Sequence, residues 1–201
     1  MSDIKIFNKW DVSNIQYADA GVKDYISLTA MIAPTTGGKH VRTQFWKAKT
    51  PIVERLMNKL MVTGHLKEGR VHKRTSGRDT GKKFTSYKAV KESFDTIAAK
   101  TKENPIQILV RALENAAPIA ETTAFRQGGI IARKPVDLAP QRRIDLSLRF
   151  ISHGAGQRCF RKKISLGDAL AAELIDASNN DNKAYSVMKK EEYERVAASA
   201  R

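Results

Sequence analysis

Two glycines, Gly128 and Gly129, separate a stretch carrying Arg126 and Gln127 from one carrying Arg133 and Lys134. Fixed cations placed so close together do one kind of chemistry well, which is to neutralise the phosphates of a polyanion and release its counterions. Further sets stand at Lys39, Arg42, Lys47 and Lys49, at Lys82 and Lys83, at Arg142, Arg143 and Arg149, and at Arg158, Arg161, Lys162 and Lys163. The groups that would serve acid–base, nucleophilic or metal chemistry are scattered. Asp79, Asp137 and Asp145 stand singly in the basic segments, and His65 and His72 lack a third ligand or a carboxylate at useful spacing. No metal and no cofactor is expected. The run Gly77 to Lys83 superficially suggests a phosphate loop, but its glycines are one residue too close. Lys83 also stands where Ser or Thr should meet magnesium, and no strand precedes it.

The whole chain leans the same way. Its 201 residues include 36 basic and 21 acidic ones, a net charge of +15, with 41% hydrophobic residues, enough for one core. The excess is concentrated: residues 37–100 hold 16 basic and 5 acidic residues, 121–163 hold 10 and 3, and the apolar stretch 101–120 between them is balanced at 2 and 2. That pattern predicts a core element between two surfaces that face a polyanion, either a nucleic acid or an acidic membrane surface. A single cysteine, Cys159, fits a reducing intracellular compartment. Neither a signal-peptide core nor an 18-residue apolar run is present, so no membrane span is expected.

The elements that must position these charges follow from periodicity. Asn104-Pro105-Ile106-Gln107 supplies a cap, a first-turn proline and a capping-box glutamine, and Ile106, Leu109, Val110, Leu113 and Ala117 mark one buried helical face. After Pro118 the strand formers on either side of the double glycine predict a β-hairpin at about residues 121–136. Few of its side chains are large and apolar, and Pro135 argues against a central strand, so it should project as a basic ribbon gripped by two helices at its base. A helix capped by Thr50 and stopped at Gly64 carries the rows Ile52/Leu56/Leu60 and Val53/Met57/Met61, read as core. Another spans about Lys83 to Lys100. A helix from Pro140 to about Ser152 sets Arg142 and Arg149 along one edge until Gly154-Ala155-Gly156 interrupts it. Two more run from Leu166 to about Ser178 and from Ser186 to a loose tail at Ala197–Arg201. The first 36 residues form an irregular arm with a short helix near Val22–Ala30. Phe45 and Trp46, set among lysines and arginines, either stack on bases or anchor the arm. Residues 65–81 form a basic loop, in which Arg70, Lys73, Arg74 and Arg78 either touch nucleic acid or are solvated. The expected architecture is mainly α: about six helices, one protruding hairpin and an irregular N-terminal arm. It divides into an extension and basic arm at 1–49 and a helical domain at 50–201.

The run Glu103 to Asn115, the Gly128-Gly129 ribbon and Pro140-Gln141-Arg142-Arg143 together resemble ribosomal protein seven of the small subunit, in its eukaryotic and archaeal form. Pro51 to Asn58, Gly81-Lys82-Lys83 and the ending Met188 to Ala197 match in the same order, and Ile4 to Trp10 is similar to the eukaryotic start. The resemblance implies a structural, non-enzymatic constituent of the cytoplasmic ribosome. Such a protein would bind the three-prime major domain of small-subunit ribosomal RNA, help assemble the subunit head beside neighbouring ribosomal proteins, and lie near exit-site transfer RNA and the messenger exit path. By that likeness, Arg126, Gln127, Gly128, Gly129, Arg133 and Lys134 lie nearest the transfer and messenger RNA. Lys39, Arg42, Lys47, Lys49, Lys82, Lys83, Arg142, Arg143 and Arg149 hold ribosomal RNA, and the cluster Arg158, Arg161, Lys162 and Lys163 is read from its charge as joining them. Two other classes compete. A helix-turn-helix regulator of DNA leaves the ribbon unexplained, and a basic nucleic-acid-processing enzyme lacks partnered carboxylates or histidines.

Overall fold

The computed structural model describes residues 4–38, 42–63 and 80–200. Among these, the chain runs α1 (Ala20–Lys23), a 3₁₀ turn (Trp46–Lys49), α2 (Ile52–Leu60), α3 (Lys83–Thr101), α4 (Pro105–Asn115), β1 (Ala120–Gln127), β2 (Ile130–Asp137), α5 (Pro140–Cys159), α6 (Leu166–Ser178) and α7 (Tyr185–Ser199). The expected class holds: six longer helices and one hairpin, with little regular structure before Trp46.

Helix α4 is the centre. Pro105 sits in its first turn, and Asn104 caps it by accepting from the Ile106 amide at 3.1 Å. Its buried residues include Ile106, Ile108, Leu109, Val110 and Leu113, more than one face, because α3, α5 and α6 all pack around it. Gln107 does not complete the capping box. Its amide instead exchanges two hydrogen bonds with the backbone of Gln16, accepting from the nitrogen at 2.8 Å and donating to the carbonyl at 2.9 Å. The Asn104 amide donates to the Asp11 carbonyl, and Glu114 accepts from the amides of Ala18 and Asp19. Polar side chains of α4 thereby stand in for a strand that the irregular N-terminal segment lacks. That segment also contributes Ile6, Phe7, Val22 and Ile26 to the main core.

Three other boundaries differ from expectation. Thr50 is buried but does not cap α2, whose flanking residue is Pro51, and the expected stop at Gly64 lies outside the described residues. Ala197 is buried within α7, so the last helix runs through most of the expected tail. Gly154-Ala155-Gly156 does not interrupt α5, which continues to Cys159. A Cβ at Gly154 would stand 2.5 Å from the Glu173 carboxylate, so glycine here makes room for α6. Glu173 is fully buried; it accepts from the Ser186 amide and hydroxyl at 2.9 Å each and from Arg158 Nε at 2.8 Å. It therefore does for the first turn of α7 what Ala184, lacking a side-chain acceptor, cannot.

Candidate nucleic-acid interface

The ribbon is an eight-on-eight antiparallel pair closed by Gln127 opposite Ile130. Gly128 and Gly129 have φ of 55° and 89°, and positive φ at both central positions is what a type I′ turn requires. Pro135 is tolerated opposite Thr122 because a two-stranded ribbon has only edges. From Thr123 through Lys134 every described side chain is exposed, including Arg126, Arg133, Lys134 and, at 75%, Ile130. Lys134 lies over the Phe125 ring at 4.6 Å, a cation and an aromatic face presented together.

The brace at the ribbon's base comes from α5, the helix that follows it, and from the distant α7, which packs on both strands. Glu194 accepts from the Ile119 amide at 3.0 Å, and the Leu138 amide donates back to the Ile119 carbonyl at 2.9 Å. Arg142 closes the joint from α5, its Nε and Nη2 meeting the two oxygens of Glu121 at 2.6 and 2.8 Å.

From that joint a band of cations crosses to α2. Asp145, one turn beyond Arg142, takes Lys47 Nζ at 2.6 Å and Arg55 Nη2 at 3.3 Å. Burial pushes its carboxyl up, but the Lys47 bond and the charges of Lys47, Arg55 and Lys59 outweigh burial and hold it below the ordinary aspartate range. For Lys59 burial dominates and drives its ammonium below the usual lysine value; Lys47, Arg149 and Arg55 push the same way against Asp145. Arg55, only 3% exposed, is lowered by burial against the pull of Asp145 and also donates to the Tyr25 carbonyl at 2.9 Å. A cleft of about 360 Å³ opens beside Lys59, Gln141, Arg142, Asp145 and Arg149.

The expected RNA contacts thus divide. Ribbon, Arg142, Arg149 and Lys47 are brought into one band, with Arg42 exposed before the turn that carries Lys47 and Lys49 exposed at its end. Lys82 is exposed, whereas Lys83 binds the buried Glu54 at 3.1 Å. Arg143 is spent internally on Asp19 at 2.8 Å and the Pro118 carbonyl, and Arg158 on Glu173, Asp176 and the Lys183 carbonyl. Arg161, Lys162 and Lys163 are exposed just past the end of the unbroken α5, and at 1.5 Å per residue that end lies about 25 Å from Arg142. They form a separate patch. Lys39, His65, Arg70, His72, Lys73, Arg74 and Arg78 lie outside the described residues. Phe45 is 80% exposed with φ of 62°, so it does not anchor the arm in the core. Lys59, Arg55 and Gln141 went unrecognised as site residues. Arg55 and Lys59, four apart, form the row beside Ile52/Leu56/Leu60 on α2, where nothing but their charge next to an apolar face marks them.

What this geometry defines is a class: a helical protein that turns a cationic band and a basic ribbon outward. Residues 22–201 match the family model for ribosomal protein S7p/S5e. The chain is 46% identical to the small ribosomal subunit protein uS7 of Nanoarchaeum equitans over 198 residues, covering 98% of this chain and 99% of that one. It is 46% identical to the protein of the same name from Methanosphaera stadtmanae, over 98% of each chain, and 45% identical to that of Methanococcoides burtonii, over 98% and 99%. The chain belongs to the ribosomal protein S7p/S5e family.

Proposed function

We propose that the protein is a structural, non-enzymatic constituent of the small ribosomal subunit that binds ribosomal RNA of the three-prime major domain in the cytoplasm. Family membership supports the address, and the observation that carries the mechanism is the exposed ribbon joined through Arg142 to the band on α2 and α5. A double-stranded RNA hides its base edges in a narrow major groove, so charges of this kind read backbone shape and unpaired junctions, not a linear sequence. Within the reading, Arg42, Lys49, Lys82 and Arg149 take ribosomal phosphates, Lys47 and Arg142 add the faces that their ion pairs with Asp145 and Glu121 leave exposed, and Arg161, Lys162 and Lys163 form a second footing. Arg143, Arg158 and Lys83 hold the fold that presents them. The ribbon tip, Arg126 to Lys134, reaches towards exit-site transfer RNA and messenger RNA, and neighbouring proteins of the subunit head pack beside it.

The deciding experiment is a competition. Full-length protein is bound to a labelled three-prime-domain RNA fragment and challenged with duplex DNA and bulk RNA at one salt concentration. Retention of the fragment against both competitors is expected. Displacement by equal amounts of duplex DNA would overturn the assignment.

A further inference from the structure

We propose that the cleft between α2 and α5 is a socket for a single phosphate group of RNA, held by Lys59, Arg149 and the Gln141 amide. The proposal rests on the reading that the band meets RNA, and it adds a built contact to what is otherwise surface charge. Lys59 is half-buried, yet among the described residues its ammonium has no hydrogen-bond or ion-pair partner. Asp145, the carboxylate that acts on it among the described residues, is taken by Lys47 and Arg55. Three like charges, Lys47, Arg55 and Arg149, surround the lysine. A half-buried cation among cations is costly unless a counter-charge arrives from outside. Two neighbours repeat the pattern: Gln141 Nε2 is buried without an acceptor, and Arg149 is half-buried with no carboxylate bound to it among the described residues. All three line the cleft of about 360 Å³.

The chemistry of the lining selects the occupant. It offers an ammonium, guanidinium groups and an amide, and its one carboxylate among the described residues, Asp145, is already bound by Lys47 and Arg55, so the lining suits a compact anion that accepts from several directions. Among the described residues no aromatic ring lines the cleft, so a base finds nothing to stack on there. Arg142 in the same lining, and Lys47 in the adjoining cleft that shares Lys59 and Asp145, continue the charge, as a passing backbone needs.

The test compares wild type, Lys59→Met, which keeps the apolar stem, and Arg126→Ala/Arg133→Ala on the same RNA fragment across a salt series. Lys59→Met is expected to lose about tenfold in affinity and to flatten the log–log salt slope by about 0.7–0.9, one phosphate contact. Its RNA-free melting temperature should be unchanged or raised. Wild-type affinity and slope in Lys59→Met, with the ribbon variant weakened, would overturn the socket and leave the RNA reading standing; so would a lowered melting temperature, which marks a structural lysine. Inorganic phosphate at matched ionic strength separates the sources of the chemistry. Phosphate that weakens RNA binding by wild type but not by Lys59→Met is the expected competition for the socket, whereas phosphate that raises the melting temperature of wild type but not of Lys59→Met while leaving RNA affinity unchanged would show a site for the free anion and overturn the assignment to RNA. Failure of the parent reading appears elsewhere, as wild type that does not distinguish the fragment from duplex DNA.

Discussion

Asp145 gathers more of the site than any other single side chain, since Lys47 and Arg55 end on it and Lys59 feels it. Its folded-state pKa lies below the ordinary value, so it contributes stability above that value and the contribution is lost as pH falls through the folded pKa. Asp145→Asn should therefore destabilise at neutral pH by about 2 kcal/mol, the scale of hydrogen bonds to charged groups, because Arg55 is left almost buried without its counter-charge. The deficit should begin to shrink below about pH 4, the ordinary aspartate value, and fade as pH falls through the lower folded pKa, where wild type loses the same charge. Urea unfolding at several pH values measures both, and a deficit independent of pH would assign the loss to packing. At Gly154 the prediction is steric: Gly154→Ala puts a methyl within 2.5 Å of the Glu173 carboxylate and should cost about 1–3 kcal/mol in the same assay. Neither residue's role was legible in the sequence. Asp145 stood alone among basic residues, with partners 98 and 90 positions away, and Gly154 looked like a helix breaker because the side chain that requires it belongs to α6. For the same reason Arg143 and Arg158 resembled free phosphate ligands, although carboxylates 124, 15 and 18 residues distant already hold them.

Among elements, the ribbon is the one whose existence and whose turn could be read directly, since a double glycine between strand formers admits few other backbones. Its brace could not be read. Glu194 and Arg142 reach it from helices that periodicity places but does not orient, and the arm's attachment through Gln107 and Glu114 is likewise side chain to backbone, which leaves no periodic trace. Because exposed strands carry Arg126 and Arg133 while the core lies elsewhere, Arg126→Ala with Arg133→Ala should leave the melting temperature within about a degree, as surface substitutions do. The salt slope for RNA binding should nevertheless flatten by about 1.4–1.8, two contacts. Filter binding across a salt series decides it: weaker binding with an unchanged slope would count against direct phosphate contact. Breaking the brace should act differently. Glu194→Ala removes the acceptor for the Ile119 amide and should speed hydrogen exchange in β1 without altering the slope.

At the scale of the molecule, a chain of net charge +15 repels itself, and that repulsion sets how its stability responds to its surroundings. Salt shortens the Debye length from about 14 Å at 0.05 M to about 6 Å at 0.3 M, so potassium chloride over that range should raise the melting temperature of the RNA-free protein. The complex should respond with the opposite sign, because the same salt weakens the phosphate contacts that hold RNA to the band and the ribbon. RNA fragment at a hundred times its Kd should stabilise the fold by about 2.7 kcal/mol, or about 5–10 °C for a chain of this size, at low salt. Calorimetric scans of the free protein and the complex at two salt concentrations contain the whole comparison. Two melting curves that converge as salt rises are the expected result. Curves that shift in parallel would mean that the positive charge belongs to the fold's own balance and not to a surface made for RNA.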